Sequence, residues 1–127
     1  MLLNQDMIRK ARFFYLGSPA FVVEVCRHLY PKICQSSDTI IRVGEIADKF
    51  YFIKKGRVEI ICHDNRTTIA ILESGAYFGE IGLLIKAKRT ATVRALAPCH
   101  FEVIDKENFD NIMEAFPDQR DYLLKVN

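Results

Sequence analysis

The sequence is short of features that would commit it to several common classes. No stretch approaches the roughly 20 consecutive apolar residues of a bilayer-spanning helix. The start, MLLNQDMIRKARFFYLGSP, carries charges throughout and lacks the apolar core of a secretory signal. A soluble, cytosolic domain is therefore expected. Charge of one sign is also scarce: 18 basic and 16 acidic residues leave +2. That balance gives no general attraction to nucleic acid or to an anionic membrane surface. The cysteines, Cys26, Cys34, Cys62 and Cys99, form no CxxC pair and no close Cys/His cluster. A zinc site is not expected from the ligand spacing, and the aliphatic neighbours point to buried, reduced thiols. His28, His63 and His100 show neither HxH nor HExxH spacing, so a metal enzyme on a cupin-like roll is not expected. No Ser/His/Asp or Cys/His arrangement can be assembled, and no P-loop Lys-Ser/Thr pair is present. These absences point to a binding module without metal or cofactor, and not to an enzyme.

What the chain does have is apolar content, 50% over 127 residues, enough for one domain with a core. From Leu2 to Leu16 apolar residues recur at helical spacing beside a basic face, with Gly17 as the stop. Ser18 and Pro19 then read as N-cap and first residue of a second helix, running through AFVVEVCRHLY to end near Pro31. From Ile33 the pattern becomes short apolar segments between turn formers. TIIRVGE reads as a strand and glycine turn, KFYFIKKGRVEIIC as two strands around Lys55-Gly56, and HDNR as a hairpin connection into TTIAIL. ATVRAL, a break at Pro98, and HFEVID follow. Regular short strands without intervening long helices predict an antiparallel β-roll, a jelly-roll-like barrel, within an α+β domain. Phe50, Tyr51 and Phe52 read as core. At the end, DKENFDNIMEAF has helical spacing with Asp105 as N-cap, and Pro117 should redirect the chain before a short final helix. The expected organisation is N-terminal helices over 1–32, a roll over 33–105 and C-terminal helices over 106–127.

One segment, YFGEIGLLIKAKRTATVRA, is not explained by core packing. Gly75 and Gly79 permit tight turns and a close backbone approach. EIGLL suffices for one helical turn whose first amides lack internal partners, a favourable place for an anion. Arg89 stands just beyond and offers a fork of donors matched to phosphate oxygens; Thr90 adds a hydroxyl and Ala91 leaves room. Glu80 would repel a phosphate, but it suits a ligand that also presents a hydroxyl. A sugar hydroxyl beside a single phosphate meets both conditions.

GAYFGEIGLL followed by KRTATVRA closely resembles the phosphate-binding cassette (residues 75–95 here) of cyclic-nucleotide-binding domains. The resemblance extends upstream: DTIIRVGEIADKFYFIKKGRVEII matches the family's early strands, including Gly44 and the segment Tyr51, Phe52, Ile53 and Gly56. It implies that cAMP or cGMP is the ligand. Arg89 would pair with the cyclic phosphate, with Thr90 and the amides of Gly82, Leu83 and Ala91 nearby. Glu80 and the Gly79 amide would hold the ribose 2′-hydroxyl, while Phe78 and Ile81 pack the cassette.

Among subfamilies, YFGEIGLL with RTATVRA looks most like the domains of cyclic-nucleotide-gated and hyperpolarisation-activated cation channels. MIRKARFF and SPAFVVEVCRHLYPKI resemble the linker helices that join such domains to a pore. The resemblance thus implies a membrane-embedded, homo- or hetero-tetrameric parent with this domain at the cytosolic face of a plasma or ciliary membrane. The isolated domain would be monomeric. Alternatives within the resemblance are a kinase regulatory subunit, a transcriptional regulator, or a channel domain that has lost its ligand. Kinase subunits usually have Arg-Ala-Ala where this chain has Arg89-Thr90-Ala91. Retention of Glu80 and Arg89 argues for a working pocket. Gly82 departs from the small side chain common in related channels, which predicts a looser turn and weaker affinity. QRDYLLKVN is short for the family's lid helix; Arg120 and Lys125 are the candidates for contacts to the base. Thr90 is compatible with a syn guanine and does not exclude cAMP.

Overall fold

In a computed structural model, residues 18–79, 86–119 and 121 are described. Helix α1 (Pro19–Arg27) starts where its capping residues dictate: the Ser18 hydroxyl accepts from the Phe21 amide at 3.2 Å, and Pro19 fills the first position, where an amide is not needed. It ends at Arg27, earlier than the expected stop near Pro31, because Tyr30–Cys34 form strand β1 instead. Pro31 biases Tyr30 toward extended backbone, and a proline is tolerated here because β1 lies at a sheet edge.

Seven further strands follow: β2 (Thr39–Ile41), β3 (Lys49–Lys55), β4 (Arg57–Ile61), β5 (Thr68–Glu73), β6 (Tyr77–Phe78), β7 (Thr92–Ala95) and β8 (Cys99–Asp105). They make two four-stranded antiparallel sheets, ordered β1-β8-β3-β6 and β2-β7-β4-β5, and not one closed barrel. The Lys55-Gly56 turn therefore does not make a hairpin; it carries the chain from one sheet to the other. Gly56 has φ +106°, and a Cβ there would lie 2.6 Å from Cys99 Sγ and 2.7 Å from the Pro98 carbonyl. Only glycine fits both the conformation and the space. The β4–β5 connection is the expected hairpin, its turn held by Asp64, whose carboxylate accepts from the amides of Arg66 and Thr67 at 2.9 and 3.1 Å.

Strand β3 explains the aromatic run, because both of its faces are buried. Tyr51 and Ile53 point between the sheets with Val58, Val93, Phe101 and Val103. Phe50 and Phe52 point the other way, with Ile104, into a second cluster closed by helices. That cluster takes Phe21, Val22 and Val25 of α1 and Phe109, Ile112 and Met113 of helix α2 (Lys106–Ala115). A fully buried phenylalanine contributes about 1.5–3 kcal/mol, so β3 anchors both cores. β5, at the edge of its sheet, alternates instead and leaves Ile69 and Ile71 facing outward.

Asp105 occupies the N-cap position of α2 as the sequence predicts, but its side chain makes no cap bond. Its carboxylate accepts the Tyr30 hydroxyl at 2.7 Å, tying the start of β1 to the end of β8. Phe116 breaks α2 and residues 117–119 resume helical backbone, in line with the expected redirection at Pro117. The first helix expected from Leu2 to Leu16 and the short cassette helix lie outside the described residues.

Candidate functional site

The backbone of Arg89 is fixed before β7 begins. The Ala47 amide donates to the Ala87 carbonyl, the Arg89 amide to the Glu45 carbonyl, and the Gly44 amide to the Arg89 carbonyl, at 2.7–2.8 Å. Thr92, buried one residue pair further on, accepts the Val43 amide at 3.1 Å. The ladder leaves the Arg89 side chain to reach across to β3 and β6. Its guanidinium donates to the Lys49 carbonyl at 2.7 Å and to the Gly79 carbonyl at 3.2 Å.

Gly79 is matched to that guanidinium. Its φ is +88°, and a Cβ there would lie 3.0 Å from both the Lys49 carbonyl and one terminal nitrogen of Arg89. The glycine thus lets the cation rest against the main chain. Beneath it, Phe78 is buried and stacks on Tyr51 with ring centres 4.8 Å apart, and both meet Phe101 edge-on. Burial pushes the Tyr51 hydroxyl up to about 12, against the opposing pull of the nearby Arg89 charge.

Arg89 stands at the edge of a cavity of about 370 Å³. Ile41, Ile60, Leu72 and Val93 give it apolar walls from four strands of one sheet, while Gly79, Lys88, Arg89, Thr90 and Ala91 also line it. Apolar walls beside a fixed cation suit a ligand with a flat, weakly polar part and one anionic group. A second, more polar hollow of about 470 Å³ shares Arg89 and adds Lys32, Glu45, Asp48 and Lys49, where acids and bases are mixed. No cluster of three or more His, Cys, Asp or Glu suited to a metal occurs among the described residues. Nor is any helix among them long and apolar enough to cross a membrane.

The family model for the cyclic nucleotide-binding domain matches residues 31–116. The chain belongs to this family. It is 36% identical over 116 residues to potassium/sodium hyperpolarization-activated cyclic nucleotide-gated channel 4 of Homo sapiens, covering 91% of this chain and 10% of that protein. Channel 2 of Mus musculus is 35% identical and channel 3 of Homo sapiens 36%, again over 91% of this chain, which spans 13% and 15% of those proteins. The domain therefore corresponds to a small part of each of these relatives. Its family and relatives are binding domains and channels.

Within this cyclic nucleotide-binding domain, the structure brings Gly79, Arg89, Thr90 and Ala91 around one cavity, with Phe78 buried next to it. Glu80, Ile81, Gly82, Leu83, Arg120 and Lys125 lie outside the described residues. Sequence reasoning missed the apolar walls and Lys88. Ile60 and Leu72 sit opposite Ala70 and Val58 on the β4–β5 ladder, and only that pairing places them beside Arg89. Lys88 had a visible signal, its adjacency to Arg89 in AKRT.

Proposed function

We propose that this domain binds cAMP or cGMP, with the cyclic phosphate on Arg89 and Thr90 and the base over the wall of Ile60, Leu72 and Val93. In the same reading Glu80 and the Gly79 amide hold the ribose 2′-hydroxyl. The domain works at the cytosolic face of a membrane, where binding biases the opening of a tetrameric cation channel. Only a difference in affinity between two arrangements of the parent can do this, so the ligand must hold one arrangement of the flanking helices better than the other.

The observation that carries the reading is the placement of Arg89: a cation fixed by two main-chain carbonyls at the edge of an apolar cavity. Those carbonyls belong to Lys49 and Gly79, so a phosphate taken by the guanidinium is linked directly to β3 and to the chain leaving β6. The test is calorimetry with cAMP and with cGMP on the wild type and on Arg89→Ala. Loss of one partner of a desolvated charge pair weakens binding by about 2–5 kcal/mol. Unchanged affinity in the variant would remove Arg89 from the phosphate.

A further inference from the structure

Two of the four thiols are brought together by strand register. Cys34 closes β1 and Cys99 opens β8, and the two are direct partners in the antiparallel ladder. They are free thiols, 6% and 3% exposed, in the same core between the sheets. Directly opposite residues in an antiparallel pair have Cα atoms about 4.5–5.5 Å apart. A disulfide accepts Cα separations of about 4.4–6.8 Å, so the backbone already has the spacing of a bridge. Cys26 lies in the other core, beside the helices, and Cys62 is half-buried next to the β4–β5 turn, with its sulfur 3.2 Å from His63 Nδ1.

We propose that Cys34 and Cys99 form a reversible cross-strand disulfide, made by exchange with a low-molecular-weight disulfide such as oxidised glutathione. The Cys34 thiolate attacks one sulfur of the oxidant, and a first glutathione thiolate leaves. The Cys99 thiolate attacks the Cys34 sulfur of the mixed disulfide, and the second glutathione leaves. Two protein thiols are oxidised to one disulfide, one glutathione disulfide is reduced to two thiols, and the protons released by the cysteines are taken up by the leaving thiolates.

The site is gated by the fold. Cys34 lies in an edge strand paired only with β8, so opening that one ladder exposes it. While closed, burial pushes the Cys34 thiol above its ordinary range, and exchange waits for the opening. Cys99 donates toward the carbonyls of Arg57 and Ala97 at 3.3 and 3.2 Å, contacts that the bridge would replace. The consequence is mechanical. β1 follows α1, and β8 runs directly into α2. The Tyr30–Asp105 hydrogen bond already ties one end of this ladder; the disulfide ties the other. Oxidation would therefore lock together the two strands that carry the helices.

The test treats the purified chain with oxidised glutathione, blocks remaining thiols by alkylation and maps peptides without reduction. The expected product is a Cys34–Cys99 linked peptide, reversed by dithiothreitol, with amide exchange across β1 slowed at least tenfold. Cys62→Ser should leave the linkage intact. Cys34→Ala and Cys99→Ala should each abolish it, so a folding failure in one still leaves the other as control. Recovery of Cys34 and Cys99 as alkylated thiols after denaturation, with glutathione only on Cys62, overturns the proposal. So does a linkage to Cys26.

Discussion

Replacing Gly79 by alanine tests the tightest contact of the site. The residue has φ +88°, where an L-residue costs about 1–2 kcal/mol. Its new methyl would also stand 3.0 Å from the Lys49 carbonyl, which belongs to a central strand and yields poorly. Crowding of that kind adds about 1 kcal/mol. The sum, about 2–3 kcal/mol, lowers the thermal midpoint of a domain this size by roughly 8–12 °C. The second neighbour, a terminal nitrogen of Arg89, is also 3.0 Å away but sits on a flexible side chain that can move aside. That movement costs little stability and takes the cation out of place, so nucleotide affinity should fall by about tenfold or more, a loss of about 1.4 kcal/mol. Gly75→Ala is the control: its φ is +92° but nothing lies within 4 Å of the added methyl. It should lose about 1–2 kcal/mol of stability and no affinity. Urea unfolding and calorimetry on both variants separate the two effects. If Gly79→Ala matches Gly75→Ala in both assays, the guanidinium does not rest against that Cα and the packing argument fails.

Gly56→Ala should be the most damaging of the glycine variants, at about 2–5 kcal/mol, because its methyl would lie under 3 Å from Cys99 and the Pro98 carbonyl; a wild-type urea midpoint would contradict this. Leu72→Asp places a charge on the apolar cavity wall, so nucleotide affinity should fall more than tenfold in calorimetry, with circular dichroism checking that the variant is folded. At high pH, Tyr51 titrates near 12 when folded and near 10 when unfolded, so the folded state holds its proton more tightly. Its contribution of about 2–3 kcal/mol is complete below pH 10 and is lost as pH rises toward 12. Tyr30 is raised as well, by burial first and then by its bond to Asp105, so it adds to the same fall. Tyr51→Phe should flatten the loss of stability between pH 10 and 12, measured by urea midpoints across that range.

The local features of the fold were legible because they are written in neighbouring residues. Ser18-Pro19 marks a helix start, and the structure places that start there. Alternation and turn formers located the strands, and the doubly apolar KFYFI run showed β3 to be core. What could not be read depends on partners distant in sequence. Lys55-Gly56 looks like a hairpin turn until β3 is seen to pair with β6 and β8, and β4 with β5 and β7. Pro31 looks like a terminator until its strand is seen to be an edge. The site followed the same division. Gly79, Arg89, Thr90 and Ala91 are close in the chain and carry a recognisable pattern. The walls of the cavity come from β2, β4, β5 and β7, whose apolar residues resemble any other buried strand residue.

Strand β6 is only two residues long, and each is seized by a different half of the molecule. Tyr77 stacks on Phe50 at 5.5 Å, on the side of the helices, while Phe78 stacks on Tyr51 in the core between the sheets. The next residue is Gly79, against which Arg89 rests. The chain entering the pocket is thus clamped from above and below within two residues of the glycine. Whatever draws Gly79 therefore pulls on a two-residue strand packed into both cores at once.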